Sequence, residues 1–286
     1  MAKQEIEVSN VFVTEQKSVR KKTKKKQLPL STIVLGSIVP GLIVVVWEIL
    51  TRIGYFPAYQ LPAPSTILIT IYDMAVDGSL WGHIGLTTYR VFVGFVIGTL
   101  IAVLLGSFVG FNRNIEKFFD PMIQAFRAIP SLAWVPLFIL WMGIGESSKI
   151  TMIALGVFFP VYLNVVSGIL NVDRQLIEVG RIYGLNTVQL VTRIILPAAL
   201  PSFLVGIRSG LGLGWMFVVA AELMGASQGL GFLLVLGQNT LAPETILASI
   251  ILFALIGKLS DWVLKIIEQR ALHWQDGLAN QERGGN

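Results

Sequence analysis

The sequence predicts an all-α integral membrane protein with six transmembrane helices, and three observations lead there. Of its 286 residues 54% are apolar and only 14% charged, against about 25% charged in a soluble domain. The mean hydropathy is +0.71. Six apolar stretches, at 32–51, 86–110, 122–142, 150–170, 199–224 and 246–266, each approach the roughly 20 residues that a bilayer-crossing helix needs. A soluble enzyme, a disordered regulator and a nucleic-acid-binding protein all fit this composition poorly.

The first thirty residues hold a basic cluster, Lys17, Arg20, Lys21, Lys22, Lys24, Lys25 and Lys26, directly before the first apolar stretch. Such a run reads as a cytoplasmic topology signal that also touches anionic lipid headgroups, rather than as a nucleic-acid tail. The stretch 32–51 is followed by Thr51-Arg52-Ile53-Gly54 with no Ala-x-Ala-like site, so it is expected to remain as the first span. Leu61-Pro62-Ala63-Pro64-Ser65 opens a segment to Trp81 whose Ile67, Leu68, Ile71 and Met74 suggest a short amphipathic helix lying at the interface.

The span 86–110 carries small residues four apart, Gly94 with Gly98 and Gly106 with Gly110. Span 199–224 does the same with Gly206, Gly210 and Gly214. This spacing lets helix backbones approach closely, either within one subunit or at a dimer seam. Span 122–142 is interrupted by Pro130 and Pro136, with Pro121 just before it, and is expected to be a bent, buried helix.

Orientation follows from the basic residues. With the N-terminus inside, cytoplasmic segments hold the tail cluster, Arg113, Lys117, Arg174, Arg181, Arg193, Lys265, Arg270 and Arg283, whereas the outer segments hold Arg52 and Lys149. That bias places both termini in the cytoplasm.

The cytoplasmic loop from Asn171 to Pro197 has a helical grammar of its own. Asn171 or Asp173 suits the cap of a first short helix with Leu176, Ile177 and Tyr183 on its apolar side, and Gly184 stands where a helix ends left-handed. Asn186 and Gln189 form a capping-box pair for a second helix with Leu190, Val191, Ile194 and Ile195 on one face, which Pro197 is expected to close. Two short helices with a sharp bend make a knob that another protein can grip.

Ionisable residues inside spans suggest function, because each costs about 2.5–3.5 kcal/mol to insert. Arg127 and Arg208 are the candidates for meeting an anion, with Glu222 as a possible balance for one of them; Lys258 and Asp261 are expected to pair or to sit near a helix end. No Gly-x-x-x-x-Gly-Lys-Ser/Thr, His-Glu-x-x-His or Gly-x-Ser-x-Gly pattern occurs, and there is no cysteine, so this chain is not expected to be an enzyme. His83 and His273 lie at opposite ends of the chain, where no metal site is expected.

The loop also resembles a family pattern. Membrane subunits of ATP-binding-cassette (ABC) importers carry Glu-Ala-Ala, three residues, Gly, nine residues, Ile, one residue and Leu-Pro. Here the run is Glu178, Val179, Gly180, then Gly184, Ile194, Leu196 and Pro197, with Val-Gly in place of Ala-Ala. The resemblance extends over about residues 61–275. Arg127-Ala-Ile-Pro-Ser-Leu-Ala-Trp-Val-Pro136, Trp141-Met-Gly-Ile-Gly-Glu-Ser-Ser-Lys149, Asn171-Val-Asp-Arg-Gln-Leu176, Leu196-Pro-Ala-Ala-Leu-Pro201, Ala221-Glu222 and Gly257-Lys258-Leu-Ser-Asp261 look like the sulfonate, taurine, nitrate and bicarbonate branch. Within it the whole is most similar to aliphatic sulfonate permeases.

The resemblance implies a type I ABC importer transmembrane domain (MetI-like). The organisation expected is a basic cytoplasmic tail at 1–30, which lies outside the resemblance, a peripheral first transmembrane helix at 31–60, an interfacial amphipathic segment at 61–84, a core at 85–266 with the coupling loop 171–197, and a cytoplasmic tail at 267–286. The resemblance further implies two copies of an ATPase subunit that bind ATP and Mg, no cofactor in this chain, a second permease copy as a homodimer, and an extracytoplasmic solute-binding protein. The expected site is the bilayer of the cytoplasmic (inner) membrane. The cargo implied is an aliphatic sulfonate, with nitrate, taurine, bicarbonate or a thiamine-precursor pyrimidine as alternatives. A secondary transporter working without ATP is the reading from another class; it would call for an inverted repeat or several mid-membrane acids, and neither is evident.

Overall fold

The structure, a computed structural model, describes residues 30–273, and every described element is helical. The basic cluster of the N-terminal tail and the last part of the C-terminal tail lie outside the described residues. Helix α1 (Leu30–Arg52) covers the expected first span, with Pro40 inside it. The described chain divides into a unit ending at Trp47 and a second beginning at Glu48; the second carries the elements that follow.

Helix α2 (Pro64–Val76) starts with proline in its first turn, where the missing N–H costs nothing. The Glu48 carboxylate accepts from the Ser65 N–H at 3.0 Å and from its hydroxyl at 2.8 Å, fastening this start. The segment expected to run as one interfacial helix to Trp81 is shorter. It stops before Gly78, which has φ +82°, and Trp81 already belongs to α3 (Ser79–Gly110). Nor is its apolar side as expected: Ile67 is buried and Ile71 and Met74 pack with Leu80, Leu230, Leu233 and Leu252, but Leu68 is exposed.

The segment 122–142 is not one bent helix. Helix α4 (Arg113–Ala128) is capped by Asn112, whose side chain accepts from the Asn114 and Ile115 N–H groups. It ends because the residue before a proline is pushed out of the helical region: Ile129, ahead of Pro130, is extended. A single tight turn (Ser131–Trp134) leads into α5 (Val135–Met142), only eight residues long, which stops at Gly143 with φ +76°. Neither piece is long enough to cross a bilayer alone.

Helix α6 (Glu146–Leu170) is the centre of the bundle, with Ile153, Val157, Val161 and Tyr162 almost fully buried. It is followed by α7 (Arg174–Ile182), α8 (Thr187–Leu190), a stretch of wider π-type turns (Val191–Ile195) and α9 (Leu196–Leu223). Pro197, expected to close the second loop helix, instead sits in the first turn of α9, and Thr187–Leu223 is one continuous 37-residue rod. The wider turns make this possible, since the Leu196 N–H reaches back five residues to the Val191 carbonyl and the ladder is re-spaced where the proline ring enters. Helix α10 (Leu230–Asn239) has no counterpart among the expected elements, being a ten-residue apolar helix too short to register as a span; α11 (Pro243–Ala271) completes the bundle.

Among the described residues, α3, the 187–223 rod, α6 and α11 are long and apolar enough to cross a membrane. The glycine stripes settle inside the subunit rather than at a dimer seam. A Cβ at Gly94 would meet Ile153, at Gly106 Val165 and at Gly110 Ile169, so α3 lies backbone-close along α6. Gly206, Gly210 and Gly214 press α9 onto the same helix at Asn164, Val161 and Val157. Lipid is as apolar as leucine, so such close van der Waals approach, not hydrophobic exclusion, holds this triplet of helices together.

Candidate functional site

At one end of α6 the loop 171–197 folds as its caps dictate. Of the two candidate caps, Asp173 is the one used, its carboxylate accepting the Gln175 N–H at 2.9 Å. Helix α7 ends in a left-handed turn at Gly184, φ +72°. The Gly184 N–H bonds the Arg181 carbonyl at 3.0 Å and the Leu185 N–H bonds the Gly180 carbonyl at 3.1 Å, the double closure of a Schellman turn. Asn186 and Gln189 cap α8 reciprocally, at 2.8 and 3.1 Å.

The bend puts motif residues against one another. Gly180 is buried beneath Ile194 and Leu190, and Ile195 is buried, while Glu178 and Pro197 are exposed and Val179 and Leu196 are about half exposed. The outer side of the knob carries Leu176, Ile182, Tyr183 and Val188. Ile182 is 83% and Tyr183 81% exposed. Leu176 and Val188 are open as well, 48% and 71% exposed.

A second feature lies at the break between α4 and α5. A half-open cavity of about 460 Å³ is lined there by the end of α4, the tight turn, α6 and α9. Arg127, in the last turn of α4, is the charged residue of its wall; Trp134, Phe159, Phe217, Asn164 and Ser209 are among the others. Trp134 is held between Phe126 and Phe138, with ring centroids 5.9 and 6.1 Å away.

The other two pathway candidates are engaged elsewhere. Arg208 pairs with Asp261 through two bonds, at 2.6 and 3.1 Å, and approaches Glu268 at 3.5 Å. The expected Lys258–Asp261 pair is replaced by a bond between α9 and α11, where the guanidinium fork matches the two carboxylate oxygens. Glu222 balances neither Arg127 nor Arg208. It is wholly buried and accepts from Arg90 Nη1 at 2.6 Å, the Thr87 hydroxyl at 2.8 Å and the Gly231 N–H at 2.7 Å.

Arg90, for which the sequence suggests no role, is the hub of that cluster. It bonds Glu146 twice at 2.6 Å and also donates to the Gln228 carbonyl at 2.7 Å, while Lys149 reaches Glu146 at 3.2 Å. Two cations and two carboxylates thus neutralise one another where α3, α6 and α9 meet the start of α10. The available signal was an arginine in one apolar span and a glutamate in another, which inside a bundle call for each other. Among the described residues no three His, Asp or Glu side chains converge to hold a metal ion. The cluster stands at the opposite end of α6 from the loop, about 37 Å away along 25 residues of helix.

Comparison with known proteins adds the following. Residues 94–273 match the family model of the binding-protein-dependent transport system inner membrane component. The chain is 39% identical over 263 residues to a Bacillus subtilis (strain 168) protein named as an aliphatic sulfonates transport permease, SsuC, covering 92% of this chain and 94% of the relative. A protein of the same name from Escherichia coli (strain K12) is 39% identical over 232 residues, covering 81% and 88%. Among solved structures, a chain of an amino acid ABC transporter superposes with a TM-score of 0.58 at 16% identity, covering 70% of this chain and 97% of that one, which is a likeness of fold.

Proposed function

The chain belongs to the binding-protein-dependent transport system inner membrane components, and on that premise we propose that it forms the membrane pathway of an ABC importer that takes up aliphatic sulfonates. It is a multi-pass membrane protein, and in its family ATP hydrolysis belongs to a separate subunit, with solute delivered by a binding protein. The sulfonate assignment rests on the two SsuC relatives, each 39% identical.

The observation that carries the mechanism is the bent knob at 171–197. Coupling needs a stiff element that transmits a partner's movement to the spans, and here α8 runs without interruption into α9. In this reading the ATPase grips Ile182, Tyr183 and Val188; Glu178 and Val179 lie on the same knob, Gly180 and Ile194 hold its two arms together, Gly184 makes the bend, and Leu196 and Pro197 start the rod that is moved. The pair of ATPase subunits binds ATP and Mg, and this chain carries no cofactor of its own. Two copies of the chain form the pathway, both termini are cytoplasmic, and the charge-neutral cluster around Arg90 lies at the outer end. Of Arg127, Arg208 and Glu222, this reading assigns Arg127 to the pathway, because the other two are engaged in ion pairs between helices.

Growth of a deletion strain on single sulfur sources tests the cargo. Failure on alkanesulfonates with normal growth on sulfate is expected; normal growth on alkanesulfonates, with failure on nitrate, would overturn the sulfonate assignment.

A further inference from the structure

We propose that the cavity at the α4–α5 break is a selectivity site within the permease itself, binding an organic anion by its oxyanion head at Arg127 and by its apolar body along Trp134, Phe159 and Phe217. The proposal rests on the sulfonate reading above and adds to it that this chain, and not the binding protein alone, discriminates by the organic part of the cargo.

The volume, about 460 Å³, lies in the range of small-molecule sites and far exceeds what a bare inorganic anion needs. The wall is mostly aromatic and aliphatic, with one cation. Its polar members are few, and Asn164 already spends one of its two amide N–H groups on the Pro160 carbonyl at 2.8 Å. A small, strongly hydrated anion such as nitrate or bicarbonate gives up water there for the Arg127 guanidinium alone, with no apolar body to set against the rest of the wall. An alkanesulfonate loses the same water at one end only, and its chain replaces water against aromatic surface.

The cation is also free to serve. Arg208 is tied to Asp261 and Arg90 to Glu146 and Glu222, whereas Arg127 has no hydrogen bond or ion pair among the described residues and is exposed. Its place follows from sequence: Pro130 ends α4 two residues after Ala128, so Arg127 stands at a helix end beside the gap that the break opens. Trp134 is fixed by its neighbours on both sides, which presents a stiff face rather than a mobile one.

The test uses the permease with its ATPase and binding protein in proteoliposomes, measuring uptake of labelled methanesulfonate and hexanesulfonate. Arg127→Gln is expected to reduce uptake of both about tenfold or more, with partial recovery in Arg127→Lys, since the substitution by glutamine removes a charge-assisted hydrogen bond that an ammonium partly restores. Ser209→Phe, which adds a ring to an exposed position on the wall, is expected to lower the hexanesulfonate-to-methanesulfonate ratio by about tenfold. Thermal unfolding midpoints confirm that the variants compared are folded. If folded Arg127→Gln transports both normally, or Ser209→Phe leaves the ratio unchanged, the selectivity site is overturned while the sulfonate reading stands. If the wild-type complex takes up neither compound, the sulfonate reading itself fails.

Discussion

Gly180 lies directly under Ile194: a methyl group placed at 180 would stand 2.5 Å from the Cδ1 atom of Ile194. Fourteen positions apart in sequence, the two meet across the bend at Gly184, so the fixed spacing of the loop motif is a packing requirement between its two arms.

That packing sets a graded expectation. Gly180→Ala needs the terminal methyl of Ile194 to turn and that of Leu190 to give slightly, both flexible ends, and alanine's better helix propensity offsets the crowding, so stability and uptake are expected to stay close to wild type. Gly180→Leu overfills the same space and is expected to cost about 1–3 kcal/mol. Thermal unfolding of the purified protein in detergent reads both, and equal midpoints for alanine and leucine would contradict the packing.

Gly184 differs in kind. Nothing lies within 4 Å of an added Cβ, but its φ of +72° strains any other side chain by about 1–2 kcal/mol. Gly184→Arg is therefore expected to reach the membrane in normal amount and to lose ATP-coupled uptake, because a charged chain is set on the knob where a partner must close. Normal uptake at normal abundance would remove the coupling role from this loop.

The exposed pair Ile182 and Tyr183 contributes little to the chain's own packing. Ile182→Asp and Tyr183→Asp are expected to leave the unfolding midpoint within about 0.5 kcal/mol equivalent while the ATPase no longer co-purifies. Undiminished co-purification would place the docking surface elsewhere.

Much of this was legible in the sequence. Asn186 with Gln189, Gly184 and the Asp173 alternative each carry a local signal, and local chemistry decides a cap. The α4–α5 break was half legible: Pro130 announced an interruption, but whether a proline bends or ends a membrane helix depends on how its neighbours satisfy the freed carbonyls. The loop's exit differs from expectation for a related reason, since re-spacing the ladder at Val191–Ile195 lets the helix pass Pro197. Helix α10 was too short to stand out. The pairing of Arg90 with Glu222, 132 positions apart, is set by which helices touch, and no local pattern states that.

The buried cluster yields a stability prediction. Arg90 and Glu222 side chains are 1% and 0% exposed, so removing Arg90 leaves the Glu222 carboxylate out of water without its cation, at a cost of about 3–5 kcal/mol. Arg90→Met should lower the unfolding midpoint strongly, and Glu222→Gln less, because Arg90 keeps its pair with Glu146. The double variant is expected to lose less than the sum of the two, and strict additivity would show that the pair does not act as a unit.

The most direct test of the account is alkanesulfonate uptake into proteoliposomes holding this chain with its ATPase, with the binding protein outside and ATP inside. Uptake is expected only when ATP and binding protein are both present, to stop with vanadate, and to be lost with Gly184→Arg. Uptake that continues without ATP and follows a proton or sodium gradient would contradict the account and make the chain a secondary transporter.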